Sequence, residues 1–221
     1  MKIIAAKSIL KANDQLAAEN RSRFEALGLY VVNVVGSPGC GKTTLLEALF
    51  ERLGGRVRPA VIEGDIAGQI DADRLSARGI PVVQINTEGM CHLDANMIAA
   101  ATQETDYSGV SLLVIENVGN LVCTAGYDLG EHLRVVVLSV AEGDDKLVKY
   151  PSIFQRSDAL IITKTDLLPV CRFDRGRVRA DMGRLAPDAR VFEVSAVSGQ
   201  GMDPVADWLA DRCRALRPVM A

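Results

Sequence analysis

Gly36-Ser37-Pro38-Gly39-Cys40-Gly41-Lys42-Thr43 fits the pattern G-x-x-x-x-G-K-[ST] at every fixed position. The apolar run Tyr30-Val31-Val32-Asn33-Val34-Val35 before it reads as a buried strand, and Lys42 to Leu53 after it as a helix. Glycines let the backbone wrap an anion with its N–H groups pointing inward. The helix start adds partial positive charge. The stretch is therefore a phosphate cradle, and Gly36, Ser37, Gly39, Cys40, Gly41, Lys42, Thr43 and Thr44 are its expected nucleotide contacts. Lys42 should reach the terminal phosphates, and the Thr43 hydroxyl should ligate Mg²⁺. Cys40 reads as a small residue of the loop.

Strand and helix patterns alternate outward from the cradle. Residues from about Ile9 to Leu27 form an amphipathic helix pattern, with Ile9, Leu16, Ala17, Asn20, Phe24 and Leu27 on one face and a polar lapse at Asn20. Gly28 is the expected stop. Strands are expected at 60–62, 81–85, 111–115, 134–140, 159–163 and 191–194. Helices are expected over 42–53, 71–78, 94–103 and 204–216. Short apolar strands between helices predict an α/β fold, a mostly parallel sheet with helices on both faces. We place an N-terminal helical segment at 1–28 and a single nucleotide-binding P-loop domain at 29–217. Ligands of such sheets sit beyond the carboxyl ends of the strands.

The chain has 221 residues, enough for one full core, with 48% hydrophobic and 24% charged residues. Its net charge of −3 gives no reason to expect nucleic acid or an anionic membrane as partner. No apolar run is long enough to span a bilayer. Lys7 and Lys11 interrupt what would be a signal-peptide core. The odd number of cysteines, five, argues for a reducing, cytoplasmic setting rather than a disulfide framework.

Two acidic strand ends are candidates for Mg²⁺: Asp65 in Ile62-Glu63-Gly64-Asp65, and Glu116 in Glu116-Asn117-Val118-Gly119. The latter resembles the D-x-x-G switch of GTPases with Glu in place of Asp. Glu116 would sense Mg²⁺ or its water, and the Gly119 N–H the γ-phosphate. Asp65 is also the candidate for orienting the attacking water. Thr163-Lys164-Thr165-Asp166 resembles the guanine motif N-K-x-D, with Thr163 at the Asn position. The Asp166 carboxylate can accept from guanine N1–H and the 2-amino group, a donor pair adenine lacks. The Lys164 stem can lie over the base. Ser195-Ala196-Val197-Ser198-Gly199 resembles the S-A-x-x-G loop that meets guanine O6 through backbone N–H. Together these motifs favour GTP and GDP over adenine nucleotides.

Cys91-His92 sets a thiol beside an imidazole, and Cys123 adds a second thiol. Such ligands suit Zn²⁺ or Ni²⁺ better than Mg²⁺ or Ca²⁺. Adjacent residues chelate one ion only at a loop or helix start, which the helix expected from Asp94 provides. Ligand spacing alone leaves open two buried cysteines and a surface histidine. Cys171 and Cys213 read as packing residues and His132 as a solvated loop residue.

The phosphate loop, Ile62–Asp65, Cys91-His92-Leu93-Asp94-Ala95, Glu116-Asn117-Val118-Gly119-Asn120-Leu121-Val122-Cys123 and Thr163–Asp166 together resemble the HypB family. These are GTPases that help insert nickel into [NiFe]-hydrogenases. The resemblance runs from about Asn33 to Ala210. It implies a P-loop fold, hydrolysis of GTP to GDP and phosphate, and a Zn²⁺/Ni²⁺ site on Cys91, His92 and Cys123. It also implies a nucleotide- or metal-dependent homodimer working with a nickel-enzyme maturation partner and the hydrogenase large subunit. Thr124 stands where the family commonly has Pro, and Thr87-Glu88-Gly89-Met90 departs from its usual glycine-rich approach. The cysteine-rich N-terminal metal motif and the His-rich stretch of some members are not expected here. Urease GTPases typically carry Cys-Pro-His, whereas Cys91 and His92 are adjacent, which favours the hydrogenase branch. Delivery of nickel to urease or another nickel enzyme is the alternative, and a P-loop small-molecule kinase a more distant one.

Overall fold

The computed structural model describes residues 6–66, 68–103 and 105–216. Its elements run α1 (Ala6–Ala26), β1 (Tyr30–Gly36), α2 (Lys42–Leu53), β2 (Pro59–Asp65), α3 (Ile70–Ser76), β3 (Val82–Asn86), α4 (Ala95–Gln103) and β4 (Leu112–Glu116). Then follow β5 (Leu133–Ser139), α5 (Lys146–Lys149), α6 (Pro151–Gln155), β6 (Ala159–Thr163), α7 (Arg175–Leu185), β7 (Arg190–Glu193) and α8 (Met202–Leu216). Seven strands form one sheet in the order β3-β2-β4-β1-β5-β6-β7, and every pairing is parallel.

Alternation along β1 shows how the layers form. Tyr30, Val32 and Val34 join the core beneath α2 and α8, with Leu45, Leu49, Trp208 and Leu209. Val31 points the other way, toward Phe24 of α1 and Ile98 of α4. Val35 meets Phe154 of α6 and Met182 of α7 through a third cluster. Between Val31 and Val35 on that second face stands Asn33, fully buried. From central β1 the chain proceeds to β2 on one side, and after β4 to β5 on the other. The reversal opens a crevice past the carboxyl ends of β1, β4 and β5.

Several expectations are corrected. Asn20 is no lapse: its amide group donates to the carbonyls of Ala95 at 2.8 Å and Leu129 at 3.2 Å. Asn13 works beside it, donating to Asp128 O and accepting from the Ala95 N–H. The buried stripe of α1 is thus Asn13, Ala17, Asn20 and Phe24, while Leu27 is about half exposed at 49%. Ile9 lies outside the residues whose side chains are described. β2 continues to Asp65, and the last strand starts at Arg190. Helices α5, α6 and α7 were not expected. His132 is packed rather than solvated: its Nδ1 accepts the Val31 N–H at 3.0 Å and its ring stacks on Tyr30. Among the described residues no helix is long and apolar enough to cross a membrane.

Candidate functional site

The phosphate loop leaves β1 at Gly36 and enters α2 at Lys42. Gly41 takes φ +94°, a conformation that L side chains rarely adopt, and this turns the loop into the helix. The Cys40 side chain is buried beneath the loop in the core, where desolvation pushes its thiol up to about 11. A cavity of about 470 Å³ lies over the loop. Gly39, Gly41, Lys42, Thr43, Thr44, Glu116, Thr163, Lys164, Asp166, Ala196 and Val197, eleven residues singled out above, line it. The size fits a nucleotide-scale ligand.

The two base motifs meet around Asp166. The Ser195 hydroxyl donates to Asp166 Oδ1 at 2.6 Å, so one motif holds the carboxylate of the other. Thr163, at the Asn position, donates its hydroxyl to Cys40 O at 2.6 Å. Lys164, at φ +58°, donates its ammonium to Gly39 O at 2.7 Å. The end of β6 is thereby fastened to the phosphate loop from two sides, and the threonine supplies the cross-link.

A second cavity, of about 260 Å³, adjoins Lys42 on the other side and is lined by Glu63, Asp65, Glu116 and Gly119 among others. The Thr43 hydroxyl donates to Glu116 Oε1 at 2.8 Å. Glu63 stands opposite Glu116 across the β2–β4 register. Burial, then the charges of Glu116 and Asp65, push the Glu63 carboxyl up to about 8. Burial raises Glu116 to about 7 against the pull of Lys42. Glu63 Oε2 and Glu116 Oε2 are both buried without a hydrogen-bond partner among the described residues. Two orphaned carboxylate oxygens beside a threonine hydroxyl and the phosphate loop form a donor set for a hard divalent cation. Asp65 lines the same cavity, but its oxygens accept the N–H groups of Ile66 and Gly68 and hold its own loop. Glu63 was passed over in the sequence; its signal was a glutamate inside an apolar strand. Gly119 lies against the phosphate loop so closely that a Cβ would come within 2.9 Å of Pro38 N.

Cys91, His92 and Cys123 also converge: one ligand atom from each lies within 4.8 Å of the others, all three partly exposed. The approach is a tight turn in which the Thr87 hydroxyl donates to Met90 O at 2.7 Å. Glu88 takes φ +51° there. Asp94 then caps α4, accepting the Met97 N–H at 2.8 Å. On the other arm Asn120 Oδ1 accepts the N–H groups of Val122 and Cys123, which sets the Cys123 backbone. Thr124, in the usual proline position, donates its hydroxyl to Asn120 O at 2.6 Å and closes the same turn. Tyr127, not anticipated from sequence, stacks on His92 with centroids 4.0 Å apart. Burial lowers the His92 imidazole, and the Cys91 thiol, hydrogen-bonded to Cys123, holds the Cys123 thiol up. Neutral imidazole and two thiols in reach of one another are the donors a borderline-soft ion takes.

Residues 30–193 match the family model described as the CobW/HypB/UreG nucleotide-binding domain. The hydrogenase maturation factor HypB of Escherichia coli K12 is 47% identical over 93% of this chain and 71% of its own length. The chain belongs to the HypB family. The HypB of Azotobacter chroococcum is 53% identical over 92% of this chain, and the chain spans 66% of that relative's length. The solved HypB of Helicobacter pylori, determined in complex with nickel, superposes with a TM-score of 0.87 at 40% identity, covering 95% of this chain and 99% of that one. Family membership carries the P-loop NTPase fold with it, and the all-parallel sheet agrees.

Proposed function

We propose that this HypB-family chain is a GTP hydrolase that acts as a nucleotide-switched nickel insertion factor for [NiFe]-hydrogenase. One observation carries this: Glu116, which accepts from Thr43, and Cys123, which lies beside Cys91 and His92, are the two ends of one short segment. Lys42 stabilises the charge developing on the transferred phosphoryl oxygens while water attacks. Thr43, Glu116 and the unpartnered Glu63 oxygen, with Asp65 at the rim, would hold Mg²⁺, which would supply further charge neutralisation when bound. Asp166, steadied by Ser195, selects guanine, the loop at Ala196 and Val197 meets guanine O6 through backbone N–H, and the Lys164 stem lies over the base. The Gly119 N–H follows the γ-phosphate.

Cys91, His92 and Cys123 take Ni²⁺ as cargo, and Zn²⁺ competes for the same donors. Met90, Val122 and Ile66 expose apolar side chains, which supports a homodimer, its formation dependent on nucleotide or metal. The maturation partner and the hydrogenase large subunit are the expected clients, in a cytoplasmic setting that keeps the five cysteines reduced. Single-turnover cleavage of GTP and ATP with Mg²⁺, in the native protein and in Lys42→Ala, tests the nucleotide half. GTP should be cleaved in preference, and the variant should lose at least about a hundredfold. Equal use of ATP, or an unaffected folded variant, would overturn it.

A further inference from the structure

Asn117 follows Glu116 directly and is buried. Its Oδ1 accepts two backbone N–H groups, from Leu93 at 3.2 Å and Val118 at 2.9 Å. Leu93 follows His92, so one side-chain oxygen joins the backbone beside the metal-site imidazole to the backbone beside the switch carboxylate. The amide nitrogen of Asn117 donates to Asn33 Oδ1 at 3.2 Å. The reverse amide orientation would face two N–H donors with an NH₂ group, so these contacts fix it.

The chain of hydrogen bonds continues under the sheet. Asn33 donates to Glu131 Oε1 at 3.1 Å. The same oxygen accepts from Arg134 Nε and Nη2 at 2.8 and 2.6 Å, and Glu131 Oε2 accepts the Leu129 N–H at 2.7 Å. Arg134 Nη2 also donates to Tyr127 O at 2.6 Å. Tyr127 carries the ring that stacks on His92. The network therefore begins on one arm of the Cys91–His92–Cys123 site and returns to its other flank. Asn117 is its member on the nucleotide segment. The links from Leu93 through Asn117 and Asn33 to Glu131 and Arg134 are buried and the Arg134–Tyr127 link partly so, and breaking a buried one strands a polar group away from water. Displacement of the Glu116–Gly119 segment is thus favoured to carry Leu93 along rather than to part from it.

We propose that Asn117 is the positioning residue through which the nucleotide state sets the geometry of the metal site, by moving Leu93 and with it His92. This rests on the nucleotide-switched function proposed above. The test is Ni²⁺ affinity at saturating GDP and at a saturating non-hydrolysable GTP analogue, in the native protein and in Asn117→Ala. Coupling of this kind is typically about 5- to 150-fold, and in the variant the ratio of the two affinities should collapse toward one. A merely structural asparagine would weaken Ni²⁺ equally in both states; an unchanged ratio in the variant overturns the role of Asn117 alone. A native protein with equal affinities contradicts the switch itself. Should the variant not fold, backbone hydrogen exchange of the native protein decides. Exchange at Leu93 should change with nucleotide in step with Val118 and Gly119, and a change at Val118 and Gly119 with none at Leu93 overturns the proposal.

Discussion

Thr43 and Glu116 are joined by a 2.8 Å hydrogen bond, the hydroxyl donating, while Glu116 Oε2 remains buried without a partner among the described residues. The first turn of α2 and the end of β4 thus present a hydroxyl and a free carboxylate oxygen at one place. Glu116→Gln keeps the shape and removes the charge. GTP hydrolysis should then need markedly more Mg²⁺ for half-maximal rate and fall by about a hundredfold at fixed Mg²⁺. A Mg²⁺ titration of single-turnover rates checks this; an unchanged midpoint would remove Glu116 from the cation site.

Stability should fall as pH rises from 6.5 to just above 8 in protein free of metal and nucleotide. Glu63 and Glu116 ionise near 4.5 in the unfolded chain but are held up to about 8 and about 7 in the fold. Their contribution is complete below 4.5 and is lost as pH climbs through the two folded values. His92 and His132, lowered by burial, act in the opposite sense, but their contribution is already complete above their ordinary value of 6.5. Between 6.5 and about 8 the slope therefore belongs to the glutamates, since the raised Cys40 and Cys123 thiols begin to act only near their ordinary value of 9.0. Thermal midpoints across this range should decline in the native protein and decline less in Glu63→Gln. A flat or rising native profile would contradict the burial of both carboxyls.

Base choice should follow Asp166. Asp166→Asn places an amide donor against guanine's donors and forfeits charge-assisted hydrogen bonds of about 1.5–3 kcal/mol each. GTP binding should weaken more than about tenfold, while xanthosine triphosphate binding improves. Ser195→Ala keeps the carboxylate but frees it from its 2.6 Å hydrogen bond, so its loss should be smaller. Competition binding measures both, and equal GTP affinity in Asp166→Asn would place the base elsewhere.

Replacing Cys91, His92 and Cys123 together by alanine should abolish stoichiometric Ni²⁺ binding and leave GTP binding intact. In the native protein Ni²⁺ affinity should drop as pH falls, because two thiols and an imidazole must be free of protons to ligate. Isothermal titration at two pH values reads both effects. Retained stoichiometry in the triple variant would show that the metal lies elsewhere.

The architecture was legible because its strands are short apolar runs and its central motif sits between a strand and a helix. Helices α5 and α6, at Lys146–Lys149 and Pro151–Gln155, are too short to show a period. Helix α7 buries only Val178, Asp181 and Met182 in an arginine-rich run, so its apolar stripe is almost absent. The residues chosen for the nucleotide converge because each motif ends a strand of one parallel sheet. Glu63, Asn33 and Asn117 were not legible as partners, since cross-strand register is not written in local spacing. Asn20 and His132 were misread for the same reason: their hydrogen bonds reach residues far along the chain.

In the proposed switch one segment, Glu116 to Cys123, reports the nucleotide state to the metal. Ni²⁺ affinity of the native protein should therefore differ between the apo, GDP and GTP-analogue forms, by roughly 5- to 150-fold between extremes, and linkage requires Ni²⁺ to shift nucleotide affinity by the same factor. In Gly119→Ala, where a Cβ would meet Pro38 N at 2.9 Å, the differences should flatten. Competitive titration of Ni²⁺ against a chromophoric chelator in the three states is the direct measurement. State-dependent affinities with matching reciprocal shifts are the expected result; identical affinities in all three states would mean that the two sites merely share a fold.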